Sequence, residues 1–181
     1  ILMSKDLKVA TITTHIPISK VSKSLTRKKI SEKITILHKS LIRDFNIKNP
    51  KIAVSSLNPH SGEEGSIGNE EVKTIVPCIN NLKKMGMKIE GPFPADTLFY
   101  KKSLNKFDAR ICMYHDQALI PLKTLDFYGG INYTAGLSFV RTSPDHGTAF
   151  NLAGKNKANP KSFIYAINQA FKISKNRKIN E

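Results

Sequence analysis

Three histidines, His15, His60 and His115, are the side chains of this sequence best placed to do chemistry. Each stands just past an apolar, partly β-branched run that reads as a strand: residues 8–14, 51–57 and 109–113. In open α/β sheets the carboxyl ends of strands are where ligands bind. Imidazoles from three such loops could converge on one divalent ion and leave a position open. An ion there would polarise a substrate oxygen as a Lewis acid. Spacing alone does not establish this, because histidines far apart in a sequence are more often ordinary polar residues. His38, inside a helical pattern, is the comparison: nothing in its setting distinguishes it.

The elements that must position these residues alternate. After the first strand, Ile30, Ile34, Leu37, Leu41 and Phe45 recur every three or four residues, so 26–45 reads as a helix with one buried stripe. The second strand closes on Asn58-Pro59-His60 and a glycine-rich loop to Gly68. A helix from Glu70 to Gly86 follows, with Pro77 expected to kink its first half. Residues 91–99 read as a loop leading into a short helix, and Gly129-Gly130 as a turn before a strand at 131–134. Residues 142–159 look loop-like, and 160–174 form a last helix with Phe163, Ile167, Ala170 and Phe171 on its inward face. Strands alternating with helices imply an α/β architecture and a substantially parallel sheet.

Composition narrows the class. The 181 residues suffice for one ordinary domain or parts of two, and the 40% apolar content suits a globular protein. No apolar run approaches the roughly 20 residues that span a bilayer. Cys78 and Cys112 have no CxxC spacing, so they read as half-buried thiols rather than as a disulfide or zinc site, and a reducing cytoplasm is the expected setting. A net charge of +15 can mark a nucleic-acid binder. Here the lysines are spread along the chain without interleaved aromatics, which points to a solvated surface that gathers anionic substrates. The first residue is Ile1, so translation starts at Met3 or the sequence continues upstream; the second is the expectation.

The stretches around the histidines carry a resemblance. Thr13-Thr14-His15-Ile16-Pro17, Leu57-Asn58-Pro59-His60-Ser61-Gly62-Glu63 and Met113-Tyr114-His115-Asp116-Gln117 stand in the order seen in 4-hydroxythreonine-4-phosphate dehydrogenases. So do Gly91-Pro92-Phe93-Pro94-Ala95-Asp96-Thr97 and Arg141-Thr142-Ser143-Pro144-Asp145-His146-Gly147-Thr148-Ala149, and the likeness runs from Lys8 to Phe171. The chain therefore resembles the C-terminal portion of that family. The resemblance implies a fold like that of isocitrate and isopropylmalate dehydrogenases, with α/β/α layers, two subdomains and an active site at a homodimer interface. Residues 1–141 would be the central substrate, metal and dimerisation subdomain, and 142–181 the return segment of the nucleotide-binding subdomain. The implied activity belongs to pyridoxal phosphate biosynthesis: NAD oxidises the C3 hydroxyl of 4-phosphohydroxy-L-threonine, and the 3-keto acid then loses its carboxylate.

By the same resemblance, His15, His60 and His115 hold one divalent ion, with zinc, magnesium and cobalt all open. Lys123, Asn132 and Arg141 contact the substrate, Lys123 and Asp116 are the catalytic candidates, and Asp145, His146, Gly147, Thr148 and Ala149 wrap the nucleotide. Read without the motifs, Lys123 and Arg141 are surface cations; within them, they can neutralise a phosphate and a carboxylate. Asp116 either orients the neighbouring imidazole and relays a proton, or simply caps its loop. Relatives acting on 4-phospho-D-threonate or 4-phospho-D-erythronate share the histidines and remain the alternative substrates. A lysine-rich nucleic-acid module and a non-catalytic dimerising fragment are the readings from other classes.

Three positions depart from the family pattern. Glu64, Ala118 and Ser138 stand where glycine, glycine and proline are expected. If the loop needs a positive φ at residue 64, a glutamate there is strained. The family's N-terminal half has no counterpart here, so an isolated chain is expected to lack a complete NAD site.

Overall fold

The computed structural model describes residues 1–148 and 150–180. Its centre is one seven-stranded sheet. The strands are β1 (Leu2–Met3), β2 (Lys8–Thr11), β3 (Lys51–Ser55), β4 (Lys88–Phe93), β5 (Ala109–Cys112), β6 (Ile131–Tyr133) and β7 (Thr142–Pro144). Their order across the sheet is β4-β3-β5-β2-β1-β6-β7. The expected parallel sheet is only half of it: β4, β3, β5 and β2 run parallel, whereas β1 pairs antiparallel with β2 and β6, and β7 antiparallel with β6. Short connections, such as the turn between β1 and β2, permit antiparallel neighbours where crossovers are absent.

The helices are α1 (Val21–Ser24), α2 (Arg27–Arg43), α3 (Val76–Lys84), α4 (Ala95–Leu98), α5 (Lys101–Leu104), α6 (His115–Leu125) and α7 (Lys161–Asn180). They cover both faces of the sheet, giving the α/β/α layering. On one face, Ile30, Ile34, Leu37 and Leu41 of α2 and Ile79 and Leu82 of α3 pack on Ile52, Val54 and Ile111. On the other, Ala118 and Leu122 of α6 meet Leu7, Val9 and Cys112. Full burial of each such aliphatic chain contributes about 1.5–3 kcal/mol, so α2 is anchored by its stripe rather than by its lysine-rich remainder. Thr26 caps α2 by accepting the Lys29 amide at 3.2 Å. The kink expected at Pro77 takes the form of a π-helical turn, Glu71–Ile75, in which the Val76 amide reaches back to the Glu71 carbonyl.

Several elements differ from the sequence reading. Strand β4 lies where a loop was expected; its Gly91-Pro92 pair is tolerated because β4 is an edge strand. Helix α6 was not anticipated, since Pro121 interrupts its pattern. The carbonyl of Gln117, four residues before that proline, has no amide to accept and is met instead by the Cys112 thiol at 3.7 Å. Both cysteines are fully buried rather than half-buried, and burial pushes the Cys112 thiol up in pKa. Residues 142–144 form β7 instead of loop. Helix α7 runs to Asn180 and faces the other way from the expectation. Ser162, Ala166, Ile173 and Arg177 are buried, while Phe163 is 57% and Phe171 75% exposed. Periodicity reveals that a helix has apolar stripes; it does not say which of two faces the sheet.

A buried charge cluster fastens α7. Asp44, at the end of α2 and fully inaccessible, accepts from Arg177 Nε at 2.8 Å and Arg43 Nε at 2.7 Å, and from the Tyr133 hydroxyl of β6. Arg177 also donates to Tyr133 Oη at 3.0 Å and to the Ser138 carbonyl at 2.9 Å, and Asn176 to the Asp44 carbonyl at 2.8 Å. Burial alone would raise the Asp44 pKa; the hydrogen bonds from Arg43, Tyr133 and Arg177 outweigh it and hold the carboxyl below its usual range.

Two stability predictions follow from this packing. Asp44→Asn strands the Arg177 guanidinium and should cost roughly 3–5 kcal/mol in urea unfolding at neutral pH. Because the folded pKa is depressed, the Asp44 contribution is complete above the unfolded value of about 3.9 and disappears as pH falls through the folded one, so the variant should lose less stability on acidification. An unchanged acid limb would contradict this. On α7, Ile173→Ala should cost about 2–5 kcal/mol. Phe171→Ala should stay within about 0.5 kcal/mol, and equal losses would mean that the helix faces the other way.

Candidate active site

The site begins with the register of two parallel strands. Val9, Ala10 and Thr11 of β2 pair with Arg110, Ile111 and Cys112 of β5. The pairing continues past both strands: Ile12 N donates to Cys112 O at 2.8 Å and Thr13 N to Met113 O at 3.1 Å. The Thr13 hydroxyl adds a buried bond of 2.7 Å to the same carbonyl. Two residues beyond this last rung, on each chain segment, stand His15 and His115. Their ring centroids are 5.4 Å apart with the planes inclined by 50°. Two imidazoles on one tetrahedral ion, each nitrogen at about 2 Å, would have centroids roughly 5 Å apart, so the pair has the spacing of co-ligands.

His115 is the first residue of α6, and Asp116 Oδ1 lies 2.7 Å from its Nδ1. With the proton on Nδ1 donated to that carboxylate, Nε2 keeps its lone pair free for a ligand. Gln117, buried, ties this corner down. Its Oε1 accepts from Met113 N at 2.9 Å, and its Nε2 donates to Ser56 O at 2.7 Å, bridging the ends of β5 and β3. A glutamine at the third helical position reaching back to an amide before the helix is a capping arrangement, and that was the signal in the sequence for its role.

A cavity of about 450 Å³ opens beside the pair, and Thr14, His15, His115, Asn132, Thr134 and Asp145 are among its lining residues. Lys33 of α2 also lines it, a residue that nothing in the sequence singled out. Asn132 sits on β6 within this wall. Lys123 of α6 forms an ion pair with Asp145 Oδ2 at 3.0 Å and donates to the Asp145 carbonyl. Arg141 is exposed and donates to Thr134 Oγ1 at 2.8 Å. His146 Nδ1 lies 3.0 Å from the Gly147 carbonyl in an exposed stretch with Thr148. Ala149, expected with them to wrap a nucleotide, lies outside the described residues.

His60 is not brought to this cavity. It lies exposed in the turn Pro59–Gly65 after β3 and lines neither of the cavities that His15 and His115 share. Among the described residues no group of three or more His, Cys, Asp or Glu side chains could hold a metal ion. The residues of one chain therefore fit the ion in part: two imidazoles are in place and the third is elsewhere.

The turn that carries His60 has an unusual backbone. His60, Ser61, Gly62, Glu63 and Glu64 all have positive φ, at 48°, 55°, 78°, 41° and 55°. Glu64 is thus strained where the family pattern suggested glycine. Each non-glycine residue in this region costs roughly 1–2 kcal/mol, on the order of 4–8 kcal/mol for four of them. Glu71, buried at 2% exposure, ties down the segment that leads into this turn. Its Oε1 accepts from Leu57 N at 2.8 Å and Asn58 N at 2.9 Å, and its Oε2 from Asn58 Nδ2 at 2.9 Å. Asn58 Nδ2 also donates to Glu70 Oε2 at 2.8 Å, and the Ser22 hydroxyl to Glu70 Oε1. The Ser22 and Asn58 bonds hold the Glu70 carboxyl below its ordinary pKa. A Cβ at Gly62 would stand 2.7 Å from Glu71 Oε2 and 2.8 Å from Gly68 O, so only glycine fits there.

With this geometry in hand, similarity to known proteins is informative. Residues 1–170 match the model of the family described as pyridoxal phosphate biosynthetic protein PdxA. The chain is 49% identical over 177 residues to the 4-hydroxythreonine-4-phosphate dehydrogenase of Shewanella frigidimarina, covering 98% of this chain and 54% of that protein. It is 52% identical over 169 residues to the enzyme of that name from Roseobacter denitrificans, covering 93% of this chain and 52% of that protein. The crystal structure of the 4-hydroxythreonine-4-phosphate dehydrogenase from Klebsiella pneumoniae superposes with a TM-score of 0.86 at 41% identity, over 95% of this chain and 52% of that one. A terephthalate 1,2-cis-dihydrodiol dehydrogenase from Burkholderia xenovorans superposes with a TM-score of 0.76 at 26% identity, over 94% of this chain and 54% of that one. The chain thus spans about half the length of the proteins it matches. Sequence and fold agree that it belongs to the PdxA family of pyridoxal phosphate biosynthetic proteins.

Proposed function

We propose that this chain supplies the metal- and substrate-binding part of an NAD-dependent dehydrogenase that oxidises 4-phosphohydroxy-L-threonine at C3, the 3-keto acid then losing its carboxylate. The observation that carries the reading is the His15–His115 pair, at co-ligand spacing beside the cavity that Asn132 lines. Residues 1–141 would form the central subdomain, and 142–181 the return segment of the nucleotide-binding one. No helix among the described residues is long and apolar enough to cross a membrane.

His15 and His115 would hold one divalent ion, with His60 supplied by a second copy of the chain. A twofold dimer makes this economical: the same exposed turn on each copy reaches the other copy's pair, and two equal sites result. When bound, the ion would supply Lewis-acid polarisation of the substrate hydroxyl. Asp116 Oδ1, 2.7 Å from His115 Nδ1, would keep His115 in the ligating tautomer. Lys123 and Arg141 would neutralise the substrate's two anionic groups, with Arg141 offering a bidentate fork. Lys123 is already paired with Asp145, so substrate entry would exchange that carboxylate for an anionic group of the substrate, and the hydroxyl proton would pass to the Asp116 carboxylate. Asn132 would orient the substrate without adding charge. NAD, when bound, would accept the C3 hydride, with Asp145, His146, Gly147 and Thr148 among the residues that would hold it, and Lys33 adds positive potential at the cavity wall.

The departures at Glu64, Ala118 and Ser138 keep 4-phospho-D-threonate and 4-phospho-D-erythronate as the second reading. The test joins the chain to its upstream coding sequence and follows NADH formation on all three substrates with zinc, magnesium or cobalt. Turnover of 4-phosphohydroxy-L-threonine should exceed that of the sugar acids and fall by at least about a hundredfold in His115→Ala. Preference for a sugar acid would move the substrate assignment, and undiminished turnover in His115→Ala would remove the metal site. The 181-residue chain alone should bind NAD only weakly in calorimetry; tight one-to-one binding would show that the nucleotide site is complete without the rest.

A further inference from the structure

We infer that Glu71 is a positioning residue for His60, presetting the strained turn so that its imidazole is held ready for a metal ion; this rests on the metal site proposed above. Glu71 is a buried carboxylate with no ion-pair partner among the described residues. Such a group is costly unless hydrogen bonds compensate it, and all its partners lie in one place. The Leu57 amide, the Asn58 amide and the Asn58 side chain each donate to it, and these are the residues just before Pro59 and His60. From the other side, Gly62 lies against its Oε2 so closely that any side chain there would displace it. The carboxylate is therefore hydrogen-bonded by the segment before His60 and approached closely by Gly62 after it.

What this geometry accomplishes is specific to His60. The core contacts of this element are made by other residues: Ile75, Ile79 and Leu82 pack the π-turn and α3 into the main apolar cluster. The left-handed run from His60 to Glu64 does need it, since an unrestrained chain would relax to right-handed or extended backbone and swing the imidazole away. Gln117 extends the restraint to the other ligands. By joining Met113 N to Ser56 O, it links the corner bearing His115 to the segment that leads into the His60 turn. Partners one step removed from metal ligands typically account for 10–100-fold in affinity by this kind of orientation.

The test uses the whole chain, titrated with cobalt(II) and read by its visible absorption and by calorimetry, well below the unfolding temperature of every variant. Glu71→Ala and Gly62→Ala should each weaken cobalt binding by about 10–100-fold. Glu71→Gln, which keeps an oxygen for the two backbone amides, should recover part of the loss. In a His60→Ala background, Glu71→Gln should have no further effect on residual affinity, because its influence runs through that imidazole. Hydrogen exchange at the Leu57 and Asn58 amides should accelerate in the same variants. Lower thermal stability with unchanged cobalt affinity would overturn the inference and leave Glu71 a purely structural residue. An additive loss in the His60→Ala background would overturn it as well. If the unaltered chain binds no cobalt, the metal site itself fails and the positioning role falls with it, an outcome distinct from the other two.

Discussion

The site depends on the register between β2 and β5. Three paired residues, two further backbone bonds and the Thr13 hydroxyl carry that register to the last residues before the two histidine loops. A slip of one residue would turn every side chain of β2 to the opposite face. Val9 would leave the Cys112–Leu122 cluster for the α2 side, and His15 would no longer stand beside His115. Because both faces of these strands are covered by helices, the slip is blocked on both. The spacing of His15 and His115 at the sheet edge is thus fixed by packing in the middle of it.

Around this frame the chain places two buried carboxylates that do opposite jobs. Asp44 is met by two guanidinium groups and a phenol, and it fastens α7 to the end of α2 and to β6. Among the described residues Glu71 has no ion-pair partner and is met by the Leu57 and Asn58 amides and the Asn58 side chain. Charge pairing stabilises a junction between elements; charge-assisted bonds to amides hold a local conformation that the backbone would otherwise leave. Fold and site are therefore served by different chemistry. The apolar face of α7, with Phe163, Ile164, Ile167 and Phe171 outward, belongs to neither.

Much of this was legible in the sequence. The stripe of α2, the strands leading to His15, His60 and His115, and their common sheet edge followed from periodicity and β-branching. A glycine expected at residue 64 left open whether the loop needs a positive φ there, and the backbone has one. Other features stayed hidden for identifiable reasons. Gly91-Pro92 disguised β4, because proline is compatible with a strand only at an edge, and edge position is a property of the sheet. Pro121 broke the pattern of α6 although the thiol of Cys112 meets the carbonyl it frees. The outward face of α7 looked like its inward one because both carry apolar residues. The separation of His60 from His15 and His115 could not be read from three strand ends, since residues at one edge of a sheet need not share a cavity. Gln117 lay inside a family motif and Glu71 in the first turn of an expected helix, but only the folded chain shows which amides they hold.

The central claim is that His15 and His115 of one copy share an ion with His60 of another, and trans-complementation tests it most directly. Chains carrying His15→Ala and chains carrying His60→Ala would be coexpressed, and cobalt sites counted against the unaltered protein. Mixed dimers would contain one intact site, so about one site in four should return although each variant alone binds poorly. No recovery in a mixture shown to contain mixed dimers would mean that the three histidines do not meet across two copies, and the account would be contradicted.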